Sequence, residues 1–253
     1  MTVWPDVKLN LGLRVLRKRP DGFHELETLF VPCGVFHDEL TVTPAGATTI
    51  EITNCDWDPQ KDLTIQAWRI LKSDFPQLPC VKIQLKKNSP VGAGLGGGSA
   101  DAAYMLKALN TMFCLGLSDL QLAAYASRLG SDCPFFVYDR PMLGTGRGEI
   151  LEPFDIDLSA YDIRVAVPEG VHVSTKEAYS GIRPSEEGKS VREVLALPPE
   201  LWRGRLVNDF EASVFPEHPE IAALKEKFYT EGAVYSSMTG SGSAVFGIFV
   251  KTI

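Results

Sequence analysis

The chain has 253 residues, 45% of them hydrophobic and 23% charged, with 25 basic against 32 acidic side chains and a net charge of −7. That length and apolar content suffice for one large domain or two modest ones and exclude wholesale disorder. The acidic balance excludes a general nucleic-acid binder, which needs a net basic surface against phosphate backbones.

Residues 7–16 alternate, with Leu9, Leu11, Leu13 and Val15 on one face, the period of a half-buried strand. Further strands are expected at 26–35, 38–43, 48–53 and 81–86, with a short helix at 62–73. A strong helix follows the glycine-rich stretch, where Ala102, Met105, Leu106, Leu109, Met112 and Phe113 recur at helical spacing. The next helix opens at Ser118, with Gln121 three residues on as its capping-box partner. Leu122, Ala126 and Leu129 continue its inner face, and Gly130 is placed to end it in the left-handed conformation.

A new block begins after Pro153, which puts a domain boundary near residue 155: an N-terminal domain over 1–155 and a C-terminal one over 156–253. A strand at 162–167 runs into the turn Pro168-Glu169-Gly170. The polar segment 184–189 reads as a mobile loop. A helix begins at Pro219, turns Ile221, Leu224 and Phe228 inward, and stops at Gly232; an apolar strand at 244–250 closes the chain.

No apolar run approaches the roughly 20 residues that cross a bilayer, and the first residues lack a signal-peptide pattern, so no membrane partner is expected. Five scattered cysteines (Cys33, Cys55, Cys80, Cys114, Cys133) with no C-x-x-C pair fit neither a zinc site nor a disulfide framework. They read as reduced thiols of a cytoplasmic protein.

The sharpest feature is Pro90-Val91-Gly92-Ala93-Gly94-Leu95-Gly96-Gly97-Gly98-Ser99, running into Ala100-Asp101-Ala102-Ala103. Glycines this dense cost backbone entropy, and just before a helix they expose N–H groups at the positive end of its dipole, where a phosphate fits. A Walker-type loop needs Lys then Ser or Thr after the last glycine, and no lysine follows. Gly92, Gly94 and Gly97 spell a dinucleotide fingerprint, but the nearest acid at the required distance, Asp119, sits in the first turn of a helix instead of at a strand end. A structural turn remains open, and a nucleoside-triphosphate loop of another family is favoured. Ser99 suits a phosphate oxygen or a magnesium ion; on its own it reads as a helix cap.

The run from Pro90 to Ala103 resembles the phosphate-binding motif of the GHMP kinases, the superfamily of galactokinase, homoserine kinase and mevalonate kinase. Lys8-Leu9-Asn10-Leu11, Asp21-Gly22-Phe23-His24-Glu25-Leu26, Gly130-Ser131-Asp132-Cys133-Pro134-Phe135-Phe136 and Thr239-Gly240-Ser241-Gly242 appear in family order along nearly the whole chain. Together they resemble the branch that takes a small-molecule cytidyl substrate, a cytidyl-linked methylerythritol on the non-mevalonate route to isoprenoid precursors.

The resemblance implies a two-domain α+β GHMP kinase fold, its N-terminal domain ribosomal protein S5 domain 2-like and its C-terminal domain a ferredoxin-like α/β domain. It implies ATP-dependent phosphorylation of the substrate's 2-hydroxyl, with ATP and Mg2+ as cofactors, and a monomer or weak homodimer. The backbone of residues 90–99 would hold the triphosphate and Ser99 would be a magnesium ligand. Asp132 would take or orient the hydroxyl proton, desolvated by Cys133, Phe135 and Phe136, on a link between a helix end at Gly130 and Pro134, which forbids a new helix immediately. Lys8 would pair with Asp132, because a lysine inside an apolar strand is costly to bury alone. Phe23, His24, Phe30 and Tyr179 would form the cytosine pocket, Asn10 and Thr175 would add polar contacts, and Gly240, Ser241 and Gly242 would line the diphosphate or the transferred group.

Taken singly, Asp132 reads as a solvated turn aspartate, Lys8 as an edge-strand charge, His24 as a surface histidine and Phe30 as core. The chain departs from the family at Phe23 (usually Tyr), Ala100 (often a second Ser) and Ser131 (often Ala), and it ends early, so the last elements of the second domain are expected to be trimmed. Two rivals remain, another small-molecule kinase of the superfamily and a nucleotide sensor that kept the fold.

Overall fold

The structure, a computed structural model, describes residues 1–251. From the N-terminus it runs through strands β1 (Thr2–Val3), β2 (Asp6–Lys18), β3 (His24–His37), β4 (Glu39–Pro44) and β5 (Thr49–Thr53). Helix α1 (Leu63–Asp74), strand β6 (Val81–Lys86) and helices α2 (Gly97–Met112), α3 (Asp119–Ser127) and α4 (Cys133–Tyr138) follow. The remainder comprises β7 (Met142–Gly146), β8 (Ile150–Pro153), β9 (Tyr161–Ala166), α5 (Thr175–Ser180), α6 (Val191–Leu195), α7 (Glu211–Val214), α8 (Pro219–Thr230), β10 (Tyr235–Met238) and β11 (Val245–Val250).

These elements form two units that alternate along the sequence. The first comprises Met1–Val7, Pro32–Val91 and Gly96–Arg140; the second comprises Lys8–Val31, Gly92–Leu95 and residues 141–251. The chain therefore passes between the units within β2, within β3, twice within the glycine-rich stretch and once more between Arg140 and Pro141.

In the first unit a sheet of order β1-β4-β6-β5 is antiparallel except for the parallel pair β5–β6. Leu40 and Val42 of β4 lie opposite Leu85 and Ile83 of β6, all buried, while Thr43, Gln84 and Lys86 are exposed. That period of two gives the sheet one apolar face. Helix α2 contacts β4 and packs on α1, α3 and α4. Its predicted stripe is real at Ala102, Met105, Leu106 and Leu109, all fully buried, and fades to half-buried at Met112 and Phe113.

The second unit carries the sheets β2-β3-β7-β8 and β10-β11-β9. Leu13, Val15, Leu26, Phe210, Ile221, Phe228, Val245 and Phe249 share one core there. The segment 184–189 is irregular, as expected, but its backbone is gripped: the Arg14 guanidinium donates to the carbonyl oxygens of Ser185 at 2.9 Å, Lys189 at 3.0 Å, and Glu187.

Two local expectations are corrected. The Ser118–Gln121 capping box is present, but α3 stops at Ser127, capped by Arg128 in the right-handed helical region. Arg128 N–H donates to Tyr125 O and Leu129 N–H to Ala126 O, so a tightened last turn ends the helix and Gly130 is not left-handed. Pro134 likewise does not delay a helix. It sits in the first turn of α4, where the missing N–H would have no partner anyway, and Asp132 is the N-cap residue. Among the described residues no helix is long and apolar enough to cross a membrane.

Candidate active site

The first half of the glycine-rich stretch, residues 92–95, belongs to the second unit, where backbone contacts hold it on two sides. Ala93 O accepts the N–H of Ala244 at 3.0 Å, and Leu95 O accepts the N–H of Lys8 at 2.9 Å. Ala93 and Leu95 are themselves buried. Gly94 has φ +78°, and a Cβ there would run into the carbonyl oxygen of Thr239 and lie 3.1 Å from that of Gly242. Only glycine allows this approach of the 239–243 turn to the loop.

Lys8 is buried at 3% exposure, and its ammonium donates to Gly94 O at 2.7 Å and to Asn10 Oδ1 at 2.6 Å. It also lies 5.7 Å from the ring centroid of Phe30, which is 3% exposed. Asn10 spends its remaining groups inward: Nδ2 donates to Thr28 Oγ1, its backbone N–H to Thr239 Oγ1, and Thr239 Oγ1 to Asn10 Oδ1. Lys8, Asn10, Phe30, Gly94 and Thr239 thus form one connected cluster, with Gly240 beside it; a Cβ on Gly240 would sit 3.3 Å from the Lys8 nitrogen. Asn208 fixes the turn, its amide donating to Met238 O and Gly240 O. Ser241 is half-buried and Gly242 buried in the same turn.

The aromatic residues form a second group in the same unit. The rings of His24 and Tyr179 stack at 4.7 Å with 22° between planes, and Phe210 meets Tyr179 edge-on at 4.8 Å. Burial, and then the Lys18 charge, lower the pKa of His24, which keeps its ring neutral at neutral pH. Phe23 is 53% exposed and lies under the Arg147 guanidinium, 4.8 Å from its centroid. Thr175, exposed, is the first residue of α5, which carries Tyr179. Phe30 is not part of this ring group; it packs beneath Gly144, where a Cβ would collide with it.

In the first unit, Gly96 is the cap of α2 at φ +75° and makes no side-chain cap bond, with Gly97 and Gly98 opening the helix. Ser99 is therefore the third helical residue and not the cap. Pro90 is half-buried and Val91 exposed. Asp132 is half-buried and leaves the first turn of α4 without a side-chain cap bond. Next to it, burial pushes the Cys133 thiol up to about 11, against a hydrogen bond with Ser99 and together with the Asp132 charge. Cys133 is thus a buried thiol beside Asp132.

Sequence reasoning missed Arg147, Phe210 and Asn208. Arg147 stands in the Gly-Arg-Gly-Glu turn between β7 and β8, and a charged residue among glycines was the available signal.

The models for the GHMP kinases N terminal domain and the GHMP kinases C terminal domain match residues 62–140 and 191–252. The chain is 46% identical over 253 residues to a 4-diphosphocytidyl-2-C-methyl-D-erythritol kinase of Parabacteroides distasonis, covering 99% of this chain and 92% of that one. It is 43% identical over 252 residues to a protein of the same name from Cytophaga hutchinsonii, covering 98% and 92%. A crystal structure of 4-(cytidine 5'-diphospho)-2C-methyl-D-erythritol kinase superposes with a TM-score of 0.82 at 34% identity, over 98% of this chain and 90% of that one. A homoserine kinase from Cytophaga hutchinsonii superposes at 0.67 with 16% identity, over 98% and 85%, a likeness of fold alone.

Proposed function

The chain belongs to the GHMP kinases, in the 4-diphosphocytidyl-2-C-methyl-D-erythritol kinase family, and from that premise we propose how its residues divide the work of an ATP-dependent kinase. The acceptor is the 2-hydroxyl of 4-diphosphocytidyl-2-C-methyl-D-erythritol. Its oxygen forms the new bond to the γ-phosphorus, the bond to the bridging oxygen breaks, ADP leaves, and the hydroxyl proton goes to Asp132. Phosphoryl transfer asks a protein mainly for positioning and charge neutralisation.

The observation that carries this reading is the buried ammonium of Lys8 held against the carbonyl of Gly94, inside the glycine-rich stretch. It sets a fixed positive charge beside the segment assigned to the triphosphate, where developing negative charge needs one. Lys8 also fixes Asp132 and the hydroxyl in this reading. Residues 90–99 offer backbone N–H groups and the start of α2 to the phosphates.

Among the described residues no group of three His, Cys, Asp or Glu could hold a metal ion alone. Ser99, near the start of α2, would offer its hydroxyl to a magnesium ion carried by the triphosphate. When bound, the ion neutralises phosphate charge.

The pyrimidine stacks on Phe23 and Tyr179, with His24 bonding its edge; Thr175 and the turn at Gly240, Ser241 and Gly242 reach the rest of the substrate, while Asn10, bonded inside the protein, orients the Lys8 ammonium. The five cysteines are unpaired, in keeping with a reducing cytoplasm; the working form is a monomer or weak homodimer.

Asp132→Asn tests the assignment of the base. Turnover should fall by about 10²–10⁴-fold with ATP affinity retained, since a positioned base contributes on that order. Unchanged turnover removes Asp132 from the mechanism.

A further inference from the structure

Lys87 lies three residues before Pro90, and its ammonium is turned to two carboxylates. Its side chain is 3% exposed, and its ammonium donates to Asp101 Oδ2 at 2.6 Å and to Asp38 Oδ2. Asp38, fully buried, also accepts the backbone N–H groups of Asn88 at 2.6 Å and Ser89 at 2.8 Å on Oδ1, and the Ser89 hydroxyl at 2.7 Å on Oδ2. Asp101 is 1% exposed, and its Oδ1 has no hydrogen-bond partner among the described residues.

This knot sits under the start of α2. A Cβ on Gly97 would lie 2.5 Å from Ser89 Oγ, 3.4 Å from the Lys87 nitrogen and 3.5 Å from Asp38 Oδ2. Lys87, Asn88 and Ser89 lead into the glycine-rich stretch, whereas Gly97 and Asp101 belong to the helix that leaves it. Asp38, from the link between β3 and β4, joins the two ends. A loop of glycines has no stiffness of its own, so its N–H groups can converge on a phosphate only if its ends are fixed.

Burying one cation with two carboxylates is costly, and hydrophobic residues of similar volume would often stabilise as well or better. The retained charges therefore call for a role beyond stability. We propose that Asp38, Lys87, Ser89 and Asp101 are positioning residues for the nucleotide: without touching it, they clamp both ends of the glycine-rich stretch so that its backbone is preset for the triphosphate. This rests on the assignment of residues 90–99 to ATP.

The test separates nucleotide affinity from everything else. Binding of magnesium and the β,γ-imido analogue of ATP is measured by calorimetry on wild type, Asp101→Asn and Ser89→Ala, with KM for both substrates, kcat and Tm beside it. Asp101→Asn keeps the shape and removes the carboxyl group; Ser89→Ala leaves Lys87, Asp38 and Asp101 in place, loses only the hydroxyl's hydrogen bond to Asp38 Oδ2, and reads the same clamp should Asp101→Asn fail to fold. Asp101→Glu restores the carboxyl group.

Members of one buried ion-pair network are strongly coupled, so affinity for the analogue and KM for ATP should worsen about five- to fiftyfold in Asp101→Asn. Ser89→Ala should show a smaller change of the same kind, with partial recovery in Asp101→Glu. The cytidyl KM and kcat should stay within about twofold, a split that lost stability alone would not produce. Equal analogue affinity in wild type and both variants overturns the clamp, as does a uniform loss on both substrates that tracks Tm. Wild type that binds the analogue yet phosphorylates no cytidyl substrate counts against the reaction and leaves the clamp test intact.

Discussion

The ammonium of Lys8 donates to the carbonyl oxygen of Gly94 across 86 positions of sequence, at 2.7 Å. One side chain thereby joins the strand that carries Asn10 to the stretch proposed to receive the nucleotide. Substituting Met for Lys8 keeps most of the volume and removes the charge, so the fold should survive. Turnover should drop by about 10²–10³-fold, the scale seen when one transition-state donor is lost. A single-turnover assay reads this, and a change under about twofold would show that Lys8 only braces the loop.

Phe23 exposes 53% of its surface, with Arg147 over one face. If the pyrimidine stacks there, Phe23→Ala should raise KM for the cytidyl substrate by about 5- to 150-fold, equivalent to ~1–3 kcal/mol, while KM for ATP holds. An equal rise in both would point to disturbed packing and not to a lost stacking surface. Tyr179→Ala should follow the same pattern, with some loss of stability from its contacts with His24 and Phe210.

The helix that carries Thr175 and Tyr179 is tied down by a titrating bond. His218 Nε2 meets Glu177 Oε1 at 2.8 Å, and Glu220 lies 3.5 Å from Nδ1. The bond to Glu177 raises the His218 pKa, against burial, and the charges of Glu177 and Glu220 add to the rise. A histidine raised on folding contributes stability that is complete below its unfolded pKa and is lost as pH climbs through the folded one. Wild type should therefore exceed His218→Gln in Tm by more at about pH 6 than at about pH 8. A difference that is flat or grows with pH would contradict the bond.

Much of this was legible in the residues. Alternation located β2, and the Ser118–Gln121 pair located α3, because both signals are local and each follows from one periodicity or one cap. The four motifs pointed to the candidate site by another route, resemblance to a family. Proline chemistry misled at Pro134, where a residue that breaks helix interiors stands comfortably in a first turn.

The clamp was hidden because Asp38, Lys87 and Asp101 lie far apart in sequence, and each alone resembles a solvated charge. Asp101 did carry a hint: it shares a helix face with Met105 and Ala108, both fully buried, so it had to be buried or paired. The stacking of His24 on Tyr179 spans 155 positions and had no local sign.

Purified protein with magnesium-ATP, offered 4-diphosphocytidyl-2-C-methyl-D-erythritol, homoserine and mevalonate in parallel, gives the decisive reading by phosphorus NMR of the products. A new phosphomonoester on the cytidyl compound alone, with one ADP formed per transfer, is the result predicted here. Phosphorylation of homoserine or mevalonate instead, or ATP bound with no acceptor consumed, would contradict it.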